Sequence, residues 1–223
     1  RYNINYMRRG RETITPKGHA SDLFSDWAVD YIRSRKDEKK PFCLFLSYNA
    51  PHTPIQPPKD WIEKVTKREP GISGKRAKLV ALIEHMDHGI GKVLEALEKT
   101  GQAENTLVIF TSDNGGQVNV GANNGPLKAG KGTVYEGGIK VPALASWPGR
   151  IAPGSNCKRV SLTMDILPTL LEALSVTSDE PFDGVSFLSE LRGKKRAEAK
   201  REIYFIRREG GTAYGGKTIE ALR

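Results

Sequence analysis

Four consecutive apolar residues, Leu107, Val108, Ile109 and Phe110, stop abruptly at Ser112-Asp113-Asn114-Gly115-Gly116, and this junction constrains the fold more than any other stretch. A short apolar run bounded by turn residues suits a strand buried on both faces, the habit of parallel sheets covered by helices. In open α/β sheets, ligands gather beyond the carboxyl ends of the strands. A carboxylate and an amide side by side at such an end therefore read as hard oxygen donors for a cation. The chain then runs through glycine-rich turns to Lys128, Lys131, Glu136 and Gly137-Gly138 before a second apolar stretch, Val141 to Trp147. Two cationic side chains can return toward the metal by that route, which suits an anionic substrate.

A third apolar stretch, Pro41 to Tyr48, lies between the charged Lys36 to Lys40 and the proline-rich Asn49 to Pro58, and predicts another buried strand. His52 then hangs on a loop at a strand end, and prolines at 51, 54, 57 and 58 stiffen that loop by fixing φ. Helical periodicity covers residues 21–35, with Ser21 or Asp22 as N-cap, and residues 75–100, closed by Gly101. Shorter helices are expected at 59–65, within 160–173 with Pro168 in its first turn, and at 185–191. Residues 202–208 and 217–222 read as two strands joined by the glycine-rich 210–216, the beginning of a small antiparallel subdomain. The expected fold class is therefore α/β, with 41–48, 106–112 and 141–147 in one largely parallel sheet flanked by the helices at 21–35 and 75–100. Residues 1–191 would form the main domain, and 192–223 a connector and the small subdomain.

The 223 residues, 38% of them hydrophobic, suffice for a real core, and no window approaches the ~18 apolar residues of a membrane span. A net charge of +9 raises the question of a polyanionic partner. The basic residues are spread along the chain, however. Their densest run, Arg192 to Arg201, reads as a solvated connector, and no basic stripe interleaves with aromatics, so nucleic acid is not expected as a partner. Two cysteines define neither a disulfide framework nor a structural zinc site, and Cys43 and Cys157 are expected to be unpaired. His85 and His88 stand at i, i+3 around Asp87, a spacing that can bind metal, but no third ligand shares that helix face. Both histidines and Asp87 are therefore assigned structural roles. Asp165 is expected to be a cap or anchor.

The segment S-D-N-G followed by P-L-K-A-G-K-G-T-V-Y-E-G-G-I-K-V-P resembles the formylglycine-dependent (type I) sulfatases of the alkaline phosphatase superfamily. Ala50-Pro51-His52-Thr53-Pro54 upstream and Asp165-Ile166-Leu167-Pro168-Thr169 downstream fall in the order and spacing of that family. The resemblance covers nearly the whole chain and corresponds to the later part of such an enzyme. It implies an alkaline-phosphatase-like sandwich that cleaves sulfate esters of small molecules or carbohydrates in a periplasmic, secreted or lysosomal setting. Asp113 and Asn114 would complete a calcium (Ca2+) site begun by an upstream acidic pair. Lys131 and His52 would be catalytic, contacting the sulfate and the departing oxygen, with Lys128 as a further substrate contact and Glu136 pinning the loop. Lys140 stands where many relatives carry arginine, which loses a bidentate fork.

The nucleophile implied by the resemblance is a formylglycine made from a C/S-x-P-x-R motif. Cys43 is followed by Leu44-Phe45-Leu46 and Cys157 by Lys158-Arg159-Val160. The chain is therefore expected to lack the motif, and the formylglycine to lie upstream. A phosphate or phosphonate monoester hydrolase of the same superfamily is the alternative enzyme. A two-zinc version of it would need histidines after the site strand, and the four here are His19, His52, His85 and His88. A truncated, non-catalytic anion-binding piece is the third reading.

Overall fold

The computed structural model describes residues 7–194, 201–207 and 218–223. The chain divides into two compact units, Arg1–Ala103 with Asn119–Ala122, and Glu104–Val118 with Asn123–Arg223.

The first unit opens with an antiparallel hairpin of β1 (Met7–Arg9) and β2 (Glu12–Ile14), and is then helical: α1 (Ala20–Ser34), α2 (Lys59–Arg68) and α3 (Gly74–Lys99). The N-cap of α1 is neither Ser21 nor Asp22 but His19, whose Nδ1 accepts the Ser21 amide. An imidazole lone pair thus does what a serine or aspartate oxygen usually does. Ser73 caps α3 in the ordinary way, and Gly101, at φ 71, ends it. Ala28, Val29 and Ile32 of α1 and Leu79, Leu82, Met86 and Leu97 of α3 are buried, while Val65 of α2 packs with Ala77 and Ala81 under Trp61 and Ile62. The two long helices approach closely at one point. A Cβ on Gly89 would lie 2.2 Å from the hydroxyl of fully buried Ser25. That hydroxyl donates to the Ser21 carbonyl and shares a hydrogen bond with the Tyr48 phenol, whose own ionisation burial pushes up.

The stretch 41–48 is not a buried strand. It pairs with no other described residues in a ladder; Phe45 is 91% exposed and only Phe42, Leu46 and Tyr48 are half-buried. Phe42 stands edge-on to Tyr31, and Tyr48 edge-on to Phe24. The period-two alternation of an extended chain is present, and one face is used against α1. The hydrogen-bonding neighbour that would make a strand of it is not among the described residues.

In the second unit, β3 (Val108–Thr111) pairs with β4 (Ala143–Ser146) in register Val108↔Ser146 to Thr111↔Ala143. The pairing is antiparallel, against the expected largely parallel sheet, and Phe110 is 36% exposed rather than buried on both sides. The connection explains the direction. A parallel return needs a crossover, usually a helix, that carries the chain to the other end of the strand. Here the intervening loops fold back on themselves, with only a 3-10 turn at Val118–Val120 and the single turn of α4 (Glu136–Ile139). The Gly115 amide meets the Gly138 carbonyl, and the Thr111 hydroxyl meets the Pro142 carbonyl, beside the point of departure.

Further along lie α5 (Ile166–Leu174), α6 (Leu188–Leu191) and an antiparallel hairpin of β5 (Tyr204–Arg207) and β6 (Ile219–Leu222). That hairpin matches the two strands expected at 202–208 and 217–222; the glycine-rich 210–216 falls outside the described residues. Both cysteines are free, as expected, and both are exposed, Cys43 included although it lies in the stretch expected to be a buried strand.

Asp165, fully buried, is the anchor that the sequence suggests. It accepts the amides of Leu162 and Val185 and a two-oxygen contact from Arg201 at 2.7 and 2.8 Å. Arg201 is thus no part of a solvated connector, and Arg192 likewise lies over the Trp147 ring. A basic residue at the end of a charged run is drawn inward when a buried carboxylate has no other cation. Burial pushes the Asp165 carboxyl up, but Arg201 and the two amides outweigh it and hold the group below the ordinary carboxylate range.

Two expectations follow. Gly89→Ala should destabilise the chain by roughly 1–3 kcal/mol through overpacking against Ser25. Gly91→Ala, where an added Cβ meets nothing within 4 Å, should stabilise α3 by about 0.5–1 kcal/mol. Urea unfolding of both variants reads the difference, and equal effects would contradict the close approach. Asp165→Ala should cost roughly 3–5 kcal/mol by stranding Arg201. Because the folded carboxyl is depressed, its contribution is complete above the unfolded value of about 3.9 and is lost as pH falls through the lower folded value. The variant's deficit measured by urea unfolding should therefore shrink toward pH 2.

Candidate active site

The end of β3 is built by backbone packing on backbone. A Cβ on Gly115 would fall 1.9 Å from the Gly137 carbonyl oxygen, one on Gly130 2.4 Å from that of Gly116, and one on Gly138 2.2 Å from that of Thr133. None of these glycines has a positive φ in the structure, so approach rather than turn geometry demands them. The two glycine-rich segments are then laced together: the Lys131 amide donates to the Gly116 carbonyl, the Gly137 amide to the Lys128 carbonyl, and the Gly115 amide to the Gly138 carbonyl. Asn124, which the sequence reading passes over, bridges them. Its Oδ1 accepts the Gly116 amide, and its Nδ2 donates to the carbonyls of Gly116 and Ala129.

This lacing ties together the backbone segments that carry Asp113 and Asn114 on one side and Lys128, Lys131 and Glu136 on the other. Asp113 is exposed, and its carboxylate makes no hydrogen bond or ion pair among the described residues. Asn114 is half-buried and fixed by its Nδ2, which donates to the Gly115 carbonyl and keeps the amide oxygen outside that bond. Both are therefore presented as oxygen donors, and the donor chemistry suits Ca2+ rather than a thiophilic or imidazole-seeking metal. Two side chains fall short of the about 6–8 oxygens calcium takes. Lys131 is half-buried, with its backbone fixed and its ammonium in no hydrogen bond among the described residues. Lys128 is exposed and lies 4.0 Å over the Tyr135 ring, so its charge is partly engaged. Glu136 accepts from Arg223 at 2.9 Å and lies 3.9 Å from Lys140, which gives it the pinning role expected.

His52 belongs to the first unit. Its Nδ1 lies 2.8 Å from the Thr53 carbonyl, which can only accept, so Nδ1 carries the proton and Nε2 is turned to the outside. Its amide donates to the Asn49 carbonyl, and the loop is tied further on by His19, whose Nε2 meets the Gln56 carbonyl.

His85 is buried, and its partner is Asp22 of α1 at 2.9 Å rather than Asp87, which is exposed and unengaged among the described residues. His19, Asp22 and His85 bring their ligand atoms within 4.8 Å of one another, a group that joins His85 to two residues at the start of α1 and leaves out His88 and Asp87. Both His19 nitrogens and His85 Nε2 already face partners, which marks the group as a structural hub. Burial pushes His85 down against the opposing pull of Asp22. The His88 ring lies 5.6 Å from that of Trp61, tilted by 47°.

The bare spacing of the nucleophile motif is met once, at Ser146-Trp147-Pro148-Gly149-Arg150, which corrects the expectation that the chain lacks it. Its position rules it out as the partner of this site. Ser146 pairs with Val108, three residues and thus ~10 Å along the ladder from Thr111, where the site begins. Trp147 is buried, with Arg150 stacked over its ring, so the segment serves packing.

These features agree with what the chain is related to. The Sulfatase family model matches residues 1–176, and the chain belongs to the sulfatase family. It is 35% identical over 208 residues to the uncharacterized sulfatase YdeN of Escherichia coli, covering 92% of this chain and 37% of that protein. It is 32% identical over 199 residues to human N-acetylgalactosamine-6-sulfatase, covering 86% of this chain and 36% of that one. Among solved structures, Ps i-CgsB in complex with k-i-k-neocarrahexaose superposes with a TM-score of 0.85 at 33% identity, over 96% of this chain and 46% of that one. The phosphonate monoester hydrolase of Agrobacterium radiobacter, at 21% identity and TM-score 0.69, shares the fold. The fold is thus the alkaline-phosphatase-like one, and the chain spans less than half the length of the relatives it matches. No described helix is long and apolar enough to cross a membrane.

Asn124→Ala should loosen the lacing. Amide hydrogen exchange at Gly116 and Lys131 should quicken at least tenfold, and unchanged exchange would show that the glycine packing holds the segments without it.

Proposed function

We propose that the protein to which this chain belongs hydrolyses sulfate esters of small molecules or carbohydrates. The observation that carries this reading is the Asp113-Asn114 donor pair laced through Gly116 to the Lys131 segment, in a chain of the sulfatase family. Sulfate ester cleavage builds negative charge on the sulfuryl and departing oxygens, and cations fixed in advance stabilise it most. Asp113 and Asn114 would hold part of a calcium site, its remaining ligands coming from outside these residues. The metal, when bound, would supply Lewis-acid stabilisation of the sulfate oxygens. Lys131 would contact a sulfuryl oxygen, with Lys128 a more peripheral contact for the substrate. His52, its Nδ1 proton committed to Thr53, would meet the departing oxygen with Nε2 and, when protonated, donate to it. The nucleophile would be a formylglycine from a segment outside this sequence.

A phosphate or phosphonate monoesterase with the same cluster is the second reading, favoured only by the shared fold of the phosphonate hydrolase. Turnover of an aryl sulfate and an aryl phosphate by the full-length protein, with and without calcium, separates the two. The sulfate should be preferred, calcium removal should depress turnover, and Lys131→Ala should lower kcat by roughly 10²–10³. A preference for phosphate, or full sulfate turnover in Lys131→Ala, would overturn the assignment.

A further inference from the structure

We propose that the β5–β6 hairpin is a clamp on the lysine loop, and that Arg207 and Arg223 are positioning residues for Lys131. The inference rests on the reading of Lys131 as a catalytic cation, and it concerns residues that no motif in the sequence singles out.

Strand alternation separates the two faces of the hairpin. In β5, Phe205 and Arg207 are half-buried while Tyr204 and Ile206 are exposed. In β6, Ile219 and Ala221 are half-buried while Glu220 and Leu222 are exposed. Register pairs Phe205 with Ala221 and Arg207 with Ile219, so these four residues share the covered face. The same parity extends to Arg201 and buried Ile203 before β5 and to Arg223 after β6. Ile203 and Arg223 exchange both backbone hydrogen bonds at 2.9 Å, which continues the ladder to the end of the described strand.

One face of the hairpin thus carries three arginines, and each has a target on the body of the unit. Arg201 takes Asp165, which anchors the hairpin to the buried hub. Arg207 donates to the carbonyl of Gly132, the residue that follows Lys131. Arg223 reaches Glu136, the first residue of α4. Arg207 and Arg223 sit at opposite ends of the ladder, about four residues or ~13 Å apart, and they take hold of the loop at two points four residues apart. Lys131 immediately precedes the first of those points, and its amide donates to the Gly116 carbonyl.

A lysine on a flexible stem places its charge well only if its backbone is fixed. Gly116 alone fixes the Lys131 amide; the hairpin fixes the carbonyl of the next residue, Gly132, and the far end at Glu136. Gly132 has φ 91, a backbone state with no side chain to pack, so an external donor on its carbonyl replaces the missing side-chain contact.

The test uses the full-length protein carrying Arg207→Met, Arg207→Lys or Arg223→Gln. Arg207→Met should lower sulfate turnover tenfold or more and speed amide exchange in residues 130–136, with α1 and α3 unchanged. Arg207→Lys, which keeps one donor, should recover part of both. In a background of Lys131→Ala, Arg207→Met should cost less than twofold further, because a residue acting through Lys131 has nothing left to position. Should Arg207→Met fail to fold, Arg223→Gln, at the rim, carries the same exchange readout. Unchanged exchange in 130–136, or full additivity with Lys131→Ala, would overturn the clamp. If the wild-type protein turns over no sulfate while Arg207→Met still loosens 130–136, the clamp stands and the sulfatase reading fails.

Discussion

Backbone-on-backbone packing at the end of β3 is the constraint from which the candidate site follows. Gly115, Gly130, Gly137 and Gly138 each have a carbonyl oxygen where a Cβ would be, so two segments from either side of a long excursion approach to a distance that side chains would forbid. That approach lets Lys131 bond to Gly116, two residues beyond Asn114, and turns a linear string of polar residues into a cluster. It also sets the direction of the sheet. Once the loop closes on its own beginning, the chain re-enters beside Thr111, and β4 can only run back along β3.

Around this contact, the units are held by buried polar groups with complete or nearly complete partners. Asp165 in the second unit and His85 in the first differ in chemistry, yet both are held below their ordinary titration range. For both, the unfolded chain binds more protons than the folded one as pH falls, so each makes the fold acid-sensitive. His85 would act from about pH 6.5 downward and Asp165 from about pH 3.9 downward, the first through the cost of charging a buried ring and the second through loss of an ion pair.

What could be read in the sequence was local. The long helices come within one residue at each end because their apolar periodicity is strong and Ser73 and Gly101 punctuate α3. The loop cluster at 113–138 was legible because hard donors, glycines and lysines occur in a pattern with a chemical reason. Long-range partners were not. Nothing near Asp22 announces His85, 63 residues away, and nothing in the basic run at 192–201 shows that Arg201 finds Asp165, 36 residues away. Strand direction failed for a similar reason. Apolar runs reveal extended chain, whereas parallel or antiparallel pairing depends on how the connection folds. For 41–48, the apolar pattern was right about extension, while a ladder needs a second strand that composition cannot supply.

The two ends of the β3–β4 ladder carry the last step. At one end stand Asp113, Asn114 and the lysine loop, with oxygen donors and cations beside exposed surface. At the other stands Ser146-Trp147-Pro148-Gly149-Arg150, which satisfies the letter of a nucleophile motif. The difference between them is physical. Trp147 is buried under Arg150 and Arg192, so the serine's segment spends its aromatic and its arginine on packing. Asp113 and Lys131, among the described residues, spend their charges on no neighbour. Charges that no described neighbour pairs, carried on segments whose backbone is laced together, leave their fields available to a ligand of opposite sign, and that is the reason to look for the cation at Asp113 and the anion at Lys131.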